Sequence, residues 1–122
     1  MKKTTGALML ALCASAGAYA DCTAPEEPAL PDGASASMEE MLAGQKAVKA
    51  FQEANMDYMK CVEARIEAAK TAGEEAETED ARDAATETYA AAVEAYNKAV
   101  SAEETVAGDF NTQVREYKAA NK

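Results

Sequence analysis

No histidine and no tryptophan occur among the 122 residues, and phenylalanine appears only twice. Without histidine the commonest general base and the commonest metal ligand are missing. Neither a phosphate-cradling glycine loop nor a nucleophile elbow is present. Carboxylates are plentiful, but acid–base pairs work only where a pocket pushes their proton affinities apart, and a narrow helical chain offers little burial. The protein is therefore expected not to be an enzyme and to carry no cofactor.

Long apolar runs are also absent. The best is Ala7 to Leu12 continuing into small residues, far short of the roughly 20 residues that cross a bilayer. It follows Lys2 and Lys3 and precedes Ala18-Tyr19-Ala20, the small-residue pattern that signal peptidase prefers. Residues 1–20 are thus expected to be a signal peptide, with Asp21 as the new N-terminus and the periplasm, or secretion beyond it, as destination. No membrane span is expected. Lipidation competes for Cys13 and Cys22, but the position before the cysteine should be small, and Leu12 and Asp21 stand there.

Basic residues are scarce: 12 against 22 acids. Losing Lys2 and Lys3 and no acid leaves ten basic side chains and a net charge of −12. Such a surface repels nucleic acid and anionic lipid, so partners should be proteins, cations or basic surfaces.

Cysteine is sparse too. Cys13 leaves with the signal, so three cysteines become two, Cys22 and Cys61, in a compartment where disulfides persist. Pairing them is the default; an intermolecular bridge or two thiols are the alternatives. Two cysteines alone are too few for a zinc site.

All three prolines, Pro25, Pro28 and Pro31, fall between Asp21 and Ser37, and Pro31-Asp32-Gly33 reads as a turn. Residues 21–36 are expected to be an extended arm, and 37–122 a helical hairpin. Ser37-Met38-Glu39-Glu40 fits a capping box at a helix start. From there Met41, Val48, Phe51, Met59, Val62 and Ile66 recur at steps of three and four, which predicts a helix from Ser37 to about Thr71. Leu42, Met56 and Tyr58 widen the stripe, while Gln45, Gln52 and Asn55 interrupt it and call for a wet seam or a second contact there. Gly73 is expected to end this helix in a left-handed turn.

An acidic run, Glu74-Glu75-Ala76-Glu77-Thr78-Glu79-Asp80, leads to a second apolar stripe: Ala85, Tyr89, Val93, Tyr96, Val100, Val106, Ala107, Phe110, Val114 and Tyr117. A helix from about Glu77 to Ala120 would carry it. The expected fold is all-α: a long antiparallel, coiled-coil-like hairpin. A three-helix bundle is the rival, since Ser101-Ala102-Glu103-Glu104 could start a helix and Gly108-Asp109 could break one.

The arm can just reach Cys61. Cys61 lies 24 residues into the first helix, about 36 Å along it, and Cys22 lies 15 residues before its start, about 46 Å of extended chain. A bond between them would fold the arm back along the helix over the polar region near Gln52 and Asn55, with Leu30 as an anchor.

Cys22, Pro25, Pro28 and Pro31-Asp32-Gly33-Ala34, then Glu40-Met41, Gln45 to Phe51, Cys61, Phe110-Asn111 and Tyr117-Lys118, together resemble a group of small exported bacterial proteins of unassigned function. The resemblance implies export and the cysteine pair, and supplies no activity, cofactor or site.

The expected role is a non-enzymatic structural or protein-interaction module that docks to an envelope protein or to itself. A small holdase-type chaperone is the alternative, and divalent-cation binding at Glu74, Glu75, Glu77, Glu79 and Asp80 a third, although that run lacks the alternating ligands and central glycine of a calcium loop. Candidate interaction residues are Met41, Phe51, Met56, Tyr58, Met59, Tyr89, Tyr96, Phe110 and Tyr117; for most of them, packing between the helices is the simpler explanation.

Overall fold

The computed structural model describes residues 21–122, so the expected signal peptide, Cys13 included, lies outside the described residues. Two α-helices, α1 (Met38–Glu74) and α2 (Glu79–Ala120), pack against each other. Gly73 sits near Ala85, Asn55 bonds to Ala99, and Gly44 lies against Phe110. These pairings run in opposite directions along the two helices, which is an antiparallel hairpin. No strand occurs among the described residues.

The three-helix alternative is set aside, because α2 runs unbroken through Ser101 and Gly108. One exposed glycine costs a helix only about 1 kcal/mol, too little to stop one whose neighbouring turns are packed against a partner.

Capping chemistry sets three of the four helix ends. The Ser37 N–H donates to Glu40 Oε2 at 2.6 Å and the Glu40 N–H donates to Ser37 Oγ at 3.2 Å, the expected reciprocal box. Thr78 caps α2 by accepting from the Ala81 N–H at 3.1 Å, which places the start at Glu79 rather than near Glu77. At its far end the Asn121 side-chain amide donates to the Tyr117 carbonyl at 2.8 Å.

Gly73 does not end α1. The helix runs through it to Glu74 and closes on Glu75 in a right-handed conformation, and none of the described glycines has a positive φ. A methyl group on Gly73 would meet the Ala85 side chain at 3.7 Å, so this glycine faces the partner helix where the two chains converge on the turn.

The seam is a heptad on both sides. Met41, Val48, Asn55, Val62 and Ala69 are buried at seven-residue intervals on α1, and Ala85, Ala92, Ala99 and Val106 likewise on α2. Three of the four buried positions of α2 are therefore alanine. The expected α2 stripe holds Ala85 and Val106 of these four but not Ala92 or Ala99: Tyr89 is 42% exposed and Val100 lies outside the seam, while Val93 and Tyr96 are half-buried at its edge. Small side chains let the backbones come close, and the larger neighbours are pushed to the flanks.

Candidate functional site

The arm lies in the groove between the two helices, held in place by a sequence of small fits. At its inner end, the carbonyl of Asp32 accepts from Ser35 and Ala36 at 3.1 and 2.7 Å, and its carboxylate accepts from the Ala34 N–H at 3.1 Å. This turn presses Gly33 onto α2, where its N–H donates to Gln113 Oε1 at 2.8 Å. A methyl group there would lie 1.9 Å from the Gln113 carbonyl oxygen, so only glycine permits the approach.

Pro31 follows, seated on Gly44 of α1. A methyl group on Gly44 would come within 2.7 Å of the proline ring. Leu30 packs against the cluster formed by Val48, Phe51 and Val106, with Ala102 and Phe110 beside it. Farther out, Ala24, Pro25 and Glu27 share a cleft with Phe51, Asn55, Tyr58 and Ala99. The outer end is closed covalently: Cys22 and Cys61 are joined, with Cα atoms 5.7 Å apart, an ordinary disulfide spacing. Asp21 then reaches Arg65 at 3.6 Å with both side chains well exposed, a pair that contributes little.

Asn55 sits beneath this cover. It is 2% exposed, and its amide donates to the Ala99 carbonyl at 3.0 Å and to Glu103 Oε2 at 2.9 Å. The polar interruption of the first stripe is thus a cross-helix clamp as well as a surface shielded by the arm.

The candidate interaction residues separate into three environments. Met41 and Phe51 are buried in the core and are not available to a partner. Tyr58, Met59, Tyr96, Phe110 and Tyr117 are half-buried, and Met56 and Tyr89 are exposed. Leu42, which lies outside the candidate set, and Met38 are 51% and 57% exposed, and Met56 is 53% exposed. At 3.6 residues per turn these three fall along one strip of α1, away from the Cys61 side that the arm covers. The signal was available, since positions 38, 42 and 56 share a helical face.

Gly33, Gly44, Ala92, Ala99 and Glu103 were also missed. The seven-residue recurrence of Ala85, Ala92 and Ala99 could have revealed the alanines. The two glycines show their purpose only when the arm is in place. Among the described residues, no group of three or more acidic or cysteine side chains could hold a metal ion; Glu74, Glu75, Glu77, Glu79 and Asp80 are exposed around the turn and do not converge. No described helix is long and apolar enough to cross a membrane.

The chain matches no protein-family model, no curated protein and no solved structure.

Proposed function

We propose that this chain is an exported, non-enzymatic protein-interaction module, working in an oxidising compartment, that docks another envelope protein on the uncovered flank of α1. The observation that carries this reading is the strip formed by Met38, Leu42 and Met56, each more than half exposed while the other large apolar side chains of α1 are buried or half-buried. Unbranched methionines suit a surface that adapts to its partner. The described residues carry ten basic and 22 acidic side chains, which opposes pairing of two like-charged copies and favours a partner with a basic rim. Export is supported by the signal-like residues 1–20 and by a disulfide, a bond that persists outside the cytoplasm.

A photo-crosslinking residue at position 42 or 56, used in intact cells, tests this. Capture of a distinct protein from both sites, with none from exposed position 116 on α2, is the expected result. Capture of the chain's own second copy would replace the hetero-partner with self-association, which sedimentation would show as a dimer. No capture from either site removes the docking flank.

The holdase alternative draws on the same strip together with exposed Tyr89, as an apolar surface on a highly charged, soluble chain. Suppression of client aggregation at stoichiometric amounts supports it, and no suppression in either redox state ends it. For divalent-cation binding at the acidic turn, no converging ligand set supports the idea.

A further inference from the structure

The arm is attached to the helices in an unusual way. No described hydrogen bond or ion pair joins residues 23–31 to either helix. Its specific fastenings are at the ends: the Gly33–Gln113 hydrogen bond on the inner side, and the Cys22–Cys61 disulfide with the weak Asp21–Arg65 pair on the outer. Between them, only shape and apolar contact hold it, through Leu30 on Val48, Phe51 and Val106, and Pro31 on Gly44. All three prolines, Pro25, Pro28 and Pro31, lie in that stretch and have no N–H to donate.

We propose that the groove under the arm is a binding site for an extended segment of another exported polypeptide carrying leucine followed by proline among small residues, and that the disulfide is the latch that keeps the arm in its place. The arm is the internal occupant. While the bond is closed it is present at far higher local concentration than any free segment could reach. An external dithiol opens it. The first thiolate attacks one sulfur of the pair, forming a mixed disulfide and releasing the other cysteine. The second thiol of the reductant then closes its own disulfide. Cys22 and Cys61 end as two thiols, the protein gains two electrons and two protons, and the reductant loses the same. The outer part of the arm is then free to leave, uncovering Phe51, Tyr58 and the Leu30 seat.

Recognition by apolar fit without hydrogen bonds selects residue size rather than one sequence, which suits a site serving several segments. The inference deepens the interaction role by adding a second surface, opposite the Met38–Leu42–Met56 strip, and its test does not involve that strip.

The probe is a fluorescein-labelled peptide with the sequence of residues 23–33, titrated against the full purified chain by fluorescence anisotropy. The reduced chain should bind it roughly tenfold or more tightly than the oxidised chain, and a peptide with Leu30→Ala should bind roughly tenfold or more weakly, the scale set by one buried leucine. Cys22→Ser should reproduce the reduced behaviour without reductant. Gly44→Ala should weaken peptide binding while circular dichroism shows intact helices, which separates loss of the seat from loss of the fold.

Equal affinity in both redox states, no binding by the reduced chain, or indifference to Leu30→Ala would each overturn the proposal. So would a reduced chain that has lost its helices, since the disulfide would then support the hairpin itself. Dimer formation on reduction, with the arm of one copy in the groove of another, would overturn the foreign segment as occupant.

Discussion

At the scale of single residues, three positions settle matters that composition leaves open. Asn55 is the polar group in an otherwise apolar column, and burial of an amide is tolerable only because both of its donor hydrogens find oxygens on α2. Asn55→Ala removes both bonds and leaves the Glu103 carboxylate half-buried without its donor, so it should lower stability by about 2 kcal/mol in denaturant titration. Asn55→Leu should recover most of that loss but relax the register, visible as broadened resonances or a mixture of oligomers, since a single buried asparagine specifies pairing at some cost in stability. Gly33→Ala places a methyl where the Gln113 carbonyl already stands. The turn must lift off, and the arm's inner fastening should be lost, raising hydrogen exchange at the Gly33-position amide. Gly44→Ala sets two effects against each other. Alanine in a helix interior gains about 1 kcal/mol over glycine, whereas displacing a rigid proline ring costs about 1–3 kcal/mol. The substitution should therefore destabilise the oxidised protein and stabilise the reduced one, a reversal readable from paired melts.

At the scale of elements, the hairpin was legible because its signals are local. A capping box, a long three-and-four apolar rhythm and an acidic break are each contained within a few turns of chain, and α1 and α2 follow them to within a few residues. The seam was only half legible. Valine and methionine marked it on α1, but on α2 the tyrosines drew attention to the flank, because alanine is so abundant that its heptad recurrence is hidden in composition. Gly73 was misjudged for a related reason: a glycine near a helix end resembles a cap, and its closeness to Ala85 depends on the other helix. The site was the least legible part, since Gly33, Gly44 and Asn55 acquire their roles only from residues 13 to 80 positions away. The alanine line carries its own prediction. Ala92→Leu would force the backbones apart at a buried position and should cost about 2 kcal/mol by overpacking, whereas Tyr89→Ala, on the exposed edge, should stay within about 0.5 kcal/mol of the parent. Equal effects in denaturant titration would mean that the tyrosines rather than the alanines form the contact.

At the scale of the whole molecule, two long rods touching along one seam have little interior, and most of the core is alanine and valine. Small buried side chains return little transfer energy each, so constraints on the unfolded chain weigh heavily in this protein. The disulfide spans 39 residues of sequence, and on the loop-entropy account closing a loop of that length contributes roughly 4 kcal/mol. For a domain of about 100 residues that corresponds to a change on the order of 20 °C in melting temperature. Reduction should therefore shift the helical melt down by that order while leaving the low-temperature helical signal in place, and a variant with both Cys22→Ser and Cys61→Ser should match the reduced protein without reductant. The crowded negative charge acts in the same direction. With 22 acids against ten bases in the described residues, added salt should raise the melting temperature of both forms by screening self-repulsion. It should raise the reduced form no more than the oxidised one, because the latch is covalent and the Asp21–Arg65 pair beside it is exposed. If reduction left the melt unchanged, the arm would be an ornament on a hairpin stable by itself, and its place in the groove would owe nothing to the two sulfurs.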